Sequence, residues 1–159
     1  MKKTILFILL FLPALLISQS KVEQKKMLMV VSSYGKDEGA SRPGYEFDEF
    51  SQAYLIFKAN GMEVDIASPK GGKVEADQFN TDKEYNKAIM ADEAVLKLLD
   101  NTLPTAEIVT EKYDAIYIVG GKGAMFDLPF DPSDTLMIAR ITGRFEGEDM
   151  DIHTPGLKR

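Results

Sequence analysis

Tyr113 to Asp127, YDAIYIVGGKGAMFD, decides the fold, because an apolar run stops there at a glycine cluster. Ala115 to Val119 is short, apolar and rich in β-branched residues, without polar alternation. That pattern predicts a central strand of a parallel sheet covered on both faces. Gly120, Gly121 and Gly123 then let the backbone turn sharply and bring bare amide N–H groups close to a small ligand. An α/β protein builds anion or oxyanion sites in this way, at the carboxyl ends of its strands. The plainer reading of a lone GGxG is a tight turn that binds nothing. GGKG lacks the spacing of a P-loop or a dinucleotide fingerprint, which argues against a nucleotide cradle.

Upstream, the chain supplies the partners such a strand needs. Met27 to Ser32, MLMVVS, reads as a first buried strand, and Ser33 to Pro43 as a turn-rich β-to-α loop. Gly44 to Asn60 places Phe47, Phe50, Tyr54 and Phe57 on one helical face, with Gly61 as the C-cap. Met62 to Ser68 alternates apolar and polar residues, as a strand nearer the sheet edge does. Pro69 to Asp82 is a long polar loop, either functional or covered by neighbours. Lys83 to Asp100 reads as helix with a break at Asp92, and Ala106 to Thr110 as a short additional strand. Strand, helix, strand, helix, strand predicts an α/β fold: a flavodoxin-like parallel sheet with helices on both faces. After Leu128 the pattern degrades, so the domain reads as incomplete at its C-terminus, with a divergent, disordered tail over 133–159.

The 159 residues are 45% hydrophobic and 28% charged, the balance of one soluble globular domain. The first 20 fall outside it: MKKTILFILLFLPALLISQS has a basic start, an apolar run and small residues at Ser18 and Ser20. This predicts a secretory signal peptide over 1–20, and periplasmic or secreted placement. The apolar run from Ile5 to Ile17, interrupted by Pro13, falls short of the roughly 20 residues needed to span, so no stable membrane anchor is expected after cleavage. Cleavage removes Lys2 and Lys3 and no acid, taking the net charge from -6 to -8. Such a surface repels nucleic acid and anionic lipid, and neither is an expected partner. There is no cysteine, hence no disulfide and no thiolate nucleophile.

GYEFDEFSQAYLIFKANGMEVDIASPKGG, residues 44–72, followed by YDAIYIVGGKGAMFDLP, residues 113–129, resembles the N-terminal half of the DJ-1/PfpI superfamily. The likeness is to its Hsp31-like branch, related to class I glutamine amidotransferases, and spans about Met27 to Pro132, a partial domain over 27–132. The resemblance implies a flavodoxin-like fold with a Cys-His-acid site whose cysteine follows the next strand. It also implies glutathione-independent glyoxalase or deglycase chemistry on methylglyoxal and related carbonyls, or holding-chaperone activity, without a metal or organic cofactor. A small carbonyl is the implied substrate of intact relatives, and a homodimer is left open.

Carried over on the matching motif, Glu49 takes the acid/base position, and Gly120, Gly121 and Gly123 form the loop of the oxyanion pocket. Glu46 and Asp48 are nearby acids, but the spacing to Phe57 and Gly61 favours Glu49. Taken alone, without the resemblance, Glu49 reads more readily as a solvated first-turn glutamate than as an acid/base. No residue takes the place of the nucleophile: Ser133 and Thr154 lack a strand-turn-helix context, and His153, the sole histidine, lies in the tail. The expectation is a truncated relative, inactive alone. The alternatives are an exported holding module that uses exposed apolar surface and, more weakly, a flavodoxin-like small-molecule binder.

Overall fold

The computed structural model describes residues 24–35 and 42–133. The expected signal peptide, His153, Thr154 and all of the expected tail except Ser133 lie outside the described residues.

The apolar run that opens the domain forms strand β1 (Lys26–Val30), in which Leu28, Met29 and Val30 are almost wholly buried. Helix α1 (Phe47–Ala59) follows, and its face of Phe47, Phe50 and Tyr54 turns inward because those residues recur every three to four positions. Asp48 and Glu49 lie in the first turn, where carboxylates complement the helix dipole. The helix ends in a paired C-cap: Gly61, at φ 74°, donates its N–H to Lys58 O (3.0 Å), and Met62 donates to Phe57 O (3.0 Å). The chain passes directly into strand β2 (Glu63–Ser68).

The second helical stretch is two helices, α2 (Glu84–Met90) and α3 (Glu93–Asp100). They break where Asp92 folds its carboxylate back onto the N–H groups of Ala94 (2.9 Å) and Val95 (3.3 Å), an N-cap that starts a new helix. Strands β3 (Leu103–Pro104) and β4 (Ala115–Ile118) complete a four-stranded parallel sheet of order β3-β2-β1-β4. The register sets Met27 to Val30 of β1 against Val64 to Ala67 on one side and against Ala115 to Ile118 on the other.

Two positions differ from the sequence expectation. The extra strand is Leu103–Pro104, whereas 105–107 and 110–112 are 3-10 turns. Pro104 has no N–H to extend a ladder, and Ile108 is instead packed beneath the sheet. Among the described residues the inner strands of the sheet are β1 and β2, not β4. Among the described residues β4 is an edge, with Ala115, Ile116 and Tyr117 half-buried and Ile118 42% exposed.

Alternation along β1 divides the core. Met27, Met29 and Val31 meet Phe50, Tyr54, Ile89, Val95 and Leu99 of the three helices, while Leu28 and Val30 meet Tyr113, Ile116 and Leu128 on the other side. Among the described residues, α-helices cover the first face and irregular segments with 3-10 turns the second. The long loop after β2 is covered by neighbours: Tyr45 N–H donates to Glu75 O (3.3 Å), Asp77 N–H to Tyr45 O (2.8 Å), and Val74 N–H to Leu99 O (3.0 Å). No helix among the described residues is long and apolar enough to cross a membrane.

Candidate active site

The glycine loop after β4 lies against the segment entering α1, backbone to backbone. Glu46 N–H donates to Gly120 O (3.0 Å), and Gly123 N–H donates to Gly44 O (3.0 Å). Side chains do not fit between the two. A Cβ on Gly123 would lie 2.6 Å from the carbonyl oxygens of both Pro43 and Gly44, and one on Gly121 would lie 2.6 Å from Glu46 N. Gly121 also adopts φ 112°, a conformation open to glycine. The sequence G-G-x-G is thus the condition for docking the loop onto the N-terminus of α1.

This docking brings Glu49 to the loop. Glu49 Oε2 accepts the Gly120 N–H at 3.0 Å, and Oε1 accepts the Tyr117 hydroxyl at 3.2 Å. The two carboxylates beside it behave differently. Asp48 faces α2, accepting from Asn86 Nδ2 (2.5 Å) and from the Tyr85 hydroxyl (3.2 Å), and so ties helix to helix. Glu46 contributes its backbone N–H to the loop contact. A cleft of about 310 Å³ opens at Glu49, bounded by Gln52, Ala53, Ile56, Phe57 and Tyr117. Burial, and then the negative charge and hydrogen bond of Glu49, raise the Tyr117 pKa above its ordinary value, so the phenol stays protonated at neutral pH.

The three expected pocket glycines do different work. Gly120 spends its N–H on Glu49 and Gly123 spends its own on Gly44, whereas the Gly121 N–H has no partner among the described residues. Ser133 donates its backbone N–H to Asp131 Oδ1 (2.8 Å) in a local turn, with no strand leading into it. Among the described residues no cluster of three or more metal-ligating side chains exists.

Sequence reasoning passed over Tyr117 and Asp127. Tyr117 shares its side of β4 with Ala115 and Val119, the side of the helices, so a polar tip there in an apolar run was the available signal. Asp127 accepts from Ser32 Oγ (2.9 Å), Ser33 N–H (2.6 Å) and Leu128 N–H (2.9 Å), locking the end of β1 to the segment after the glycine loop. Tyr34 stacks on Phe126 across the same junction, with ring centroids 4.6 Å apart.

No family model matches the chain. Two glutathione-independent glyoxalases of Schizosaccharomyces pombe, hsp3101 and hsp3102, are 31% and 29% identical to it over aligned stretches of 121 and 117 residues, and the matches cover 65% and 66% of this chain. A ThiJ/PfpI domain protein from Brachyspira murdochii shares the fold, with a TM-score of 0.50 and 16% identity over 77% of this chain and 55% of that one. Over part of its length, the chain is a DJ-1/PfpI superfamily relative. Glyoxalase III of Candida albicans shares the fold, with a TM-score of 0.63 and 19% identity over 76% of this chain and 53% of that one. So does the Rapid Encystment Protein of Francisella tularensis, with a TM-score of 0.68 and 24% identity over 76% and 55%. The chain spans about half the length of the curated superfamily relatives it matches, 46% and 47%. Among superfamily features expected from the sequence, Glu49 and Gly120 are in direct contact here, and Gly121 adjoins them.

Proposed function

We propose that this chain carries the acid and glycine-loop portion of a glyoxalase-type site for small reactive carbonyls such as methylglyoxal. In this reading Glu49 is the group that takes a proton from the substrate and returns it. The observation that carries the reading is the Glu49 carboxylate held at both oxygens beside the glycine loop, at the carboxyl end of a parallel strand. Similarity to two glutathione-independent glyoxalases supports the choice of chemistry.

Converting a 2-oxoaldehyde and one water to a 2-hydroxy acid adds the water's oxygen to the aldehyde carbon and moves that carbon's hydrogen to the neighbouring carbonyl carbon, which asks for a base that later acts as an acid. A fixed carboxylate suits that role, and a donor such as the Gly121 N–H stabilises the oxyanion that forms meanwhile. The covalent step of a thiol-dependent route needs a sulfur, and none of the 159 residues is cysteine. This polypeptide by itself is therefore proposed to be inactive, with no metal or organic cofactor in the scheme. Purified polypeptide should consume methylglyoxal no faster than its Glu49→Gln variant. Turnover well above that variant would show that another group attacks the carbonyl.

A second reading, a holding module for unfolded clients, is favoured by one observation. Met125, Phe126 and Phe130, just after the glycine loop, are 71%, 55% and 75% exposed. Concentration-dependent suppression of client aggregation, lost in Phe126→Ser and Phe130→Ser, would support it, and no suppression would dismiss it. Export directed by residues 1–20 belongs to either reading, and N-terminal sequencing of secreted material beginning at Lys21 is its test.

A further inference from the structure

A carboxylate rotates about its last carbon–carbon bond, so a glutamate that moves protons along a fixed path has to be held at both oxygens. Glu49 is held by two donors of different kinds. The Gly120 N–H on Oε2 belongs to the backbone and is fixed by the loop, whereas the donor on Oε1 is a side chain, the Tyr117 hydroxyl at 3.2 Å. Tyr117 is itself constrained. It stands on β4, paired with Met29 of β1, and its ring meets Phe57 edge to face, with centroids 5.5 Å apart and planes at 74°. Phe57 lies on the same helix as Glu49, so strand, ring and helix form a closed arrangement around one carboxylate.

We propose that Tyr117 is a positioning residue for Glu49, fixing the rotation of its carboxylate so that the remaining lone pairs face the cleft bounded by Gln52, Ala53 and Ile56. Its part in proton transfer rests on the reading of Glu49 given above, whereas its geometric effect does not. A phenol suits the task. It donates one hydrogen bond along a direction set by the ring and, with its pKa raised by burial first and by Glu49 second, remains a donor throughout the neutral range. The cleft is walled mainly by apolar side chains, which offer the carboxylate few competing donors.

Tyr117→Phe removes the donor and keeps the ring on Phe57. In isotope-labelled full-length chain, the scalar coupling across the Gly120 N–H···Oε2 hydrogen bond to Glu49 Cδ should be lost in Tyr117→Phe, because the carboxylate then swings freely. A residue that only filled space would leave that coupling intact. The reciprocal measurement uses Glu49→Gln with ¹³Cζ-labelled tyrosine: removing the charge should move the Tyr117 titration midpoint down. A retained coupling in the first variant, or an unmoved midpoint in the second, overturns the proposal. Neither readout depends on turnover, so failure of the glyoxalase reading in an activity assay leaves this result standing, and the reverse.

Discussion

Gly120 and Glu49 are fitted to each other: the Gly120 N–H lies 3.0 Å from Glu49 Oε2, and a Cβ on Gly120 would lie 2.8 Å from the same oxygen. The residue that holds the carboxylate must therefore be a glycine or displace what it holds.

That relationship separates two alanine substitutions one turn apart. In Gly120→Ala the new methyl meets the end of a flexible side chain, which swings away, so the cost should be about 1 kcal/mol of stability with Glu49 displaced. In Gly123→Ala it meets two backbone carbonyl oxygens at 2.6 Å, neither of which can rotate aside. That variant should lose about 3 kcal/mol. Urea unfolding of both variants checks the order, and equal losses would contradict it.

Asp127 should matter to stability as much as a core residue. Its carboxylate accepts from Ser32 Oγ, Ser33 N–H and Leu128 N–H, which Asp127→Ala leaves without their partner. The loss should be about 2–3 kcal/mol, the range for charge-assisted hydrogen bonds in a half-buried setting. A midpoint shift in urea at constant slope is the expected result.

Alkaline pH should destabilise the fold through Tyr45, whose pKa burial raises well above the ordinary phenol value. A raised folded-state pKa means that, above the unfolded value of about 10, the native state binds more protons than the unfolded state, and stability falls with rising pH. Below that pH the contribution is fully present. Tyr45→Phe should flatten the decline in unfolding free energy between pH 10 and 11 relative to the wild type, and an unchanged slope would exclude Tyr45 as its source.

The parts of this molecule legible in its sequence are those fixed by local chemistry. The break at Asp92 and the stop at Gly61 are set by a side chain or a dihedral acting within one turn, and the aromatic face of α1 by spacing alone. Strand position is not local. Ala115 to Val119 carries the composition of a buried strand, yet its place among the described residues, beside β1 at an edge, depends on pairing with residues nearly ninety positions away. The same limit hid Tyr117, whose hydroxyl acquires a role only once the docked loop brings Glu49 to it. The glycine cluster was legible as a turn. Its division into one amide for Glu49, one for Gly44 and one without a partner among the described residues required the loop and helix together.

The most direct test of Glu49 as the proton carrier is a chimera. The residues of the Schizosaccharomyces pombe glyoxalase hsp3101 that match this chain are replaced by this chain's own, and methylglyoxal turnover is measured with cooperative unfolding as proof of folding. The account predicts turnover in the chimera and a loss of at least about 100-fold in kcat on Glu49→Gln. A folded chimera whose turnover is unchanged by Glu49→Gln would contradict it.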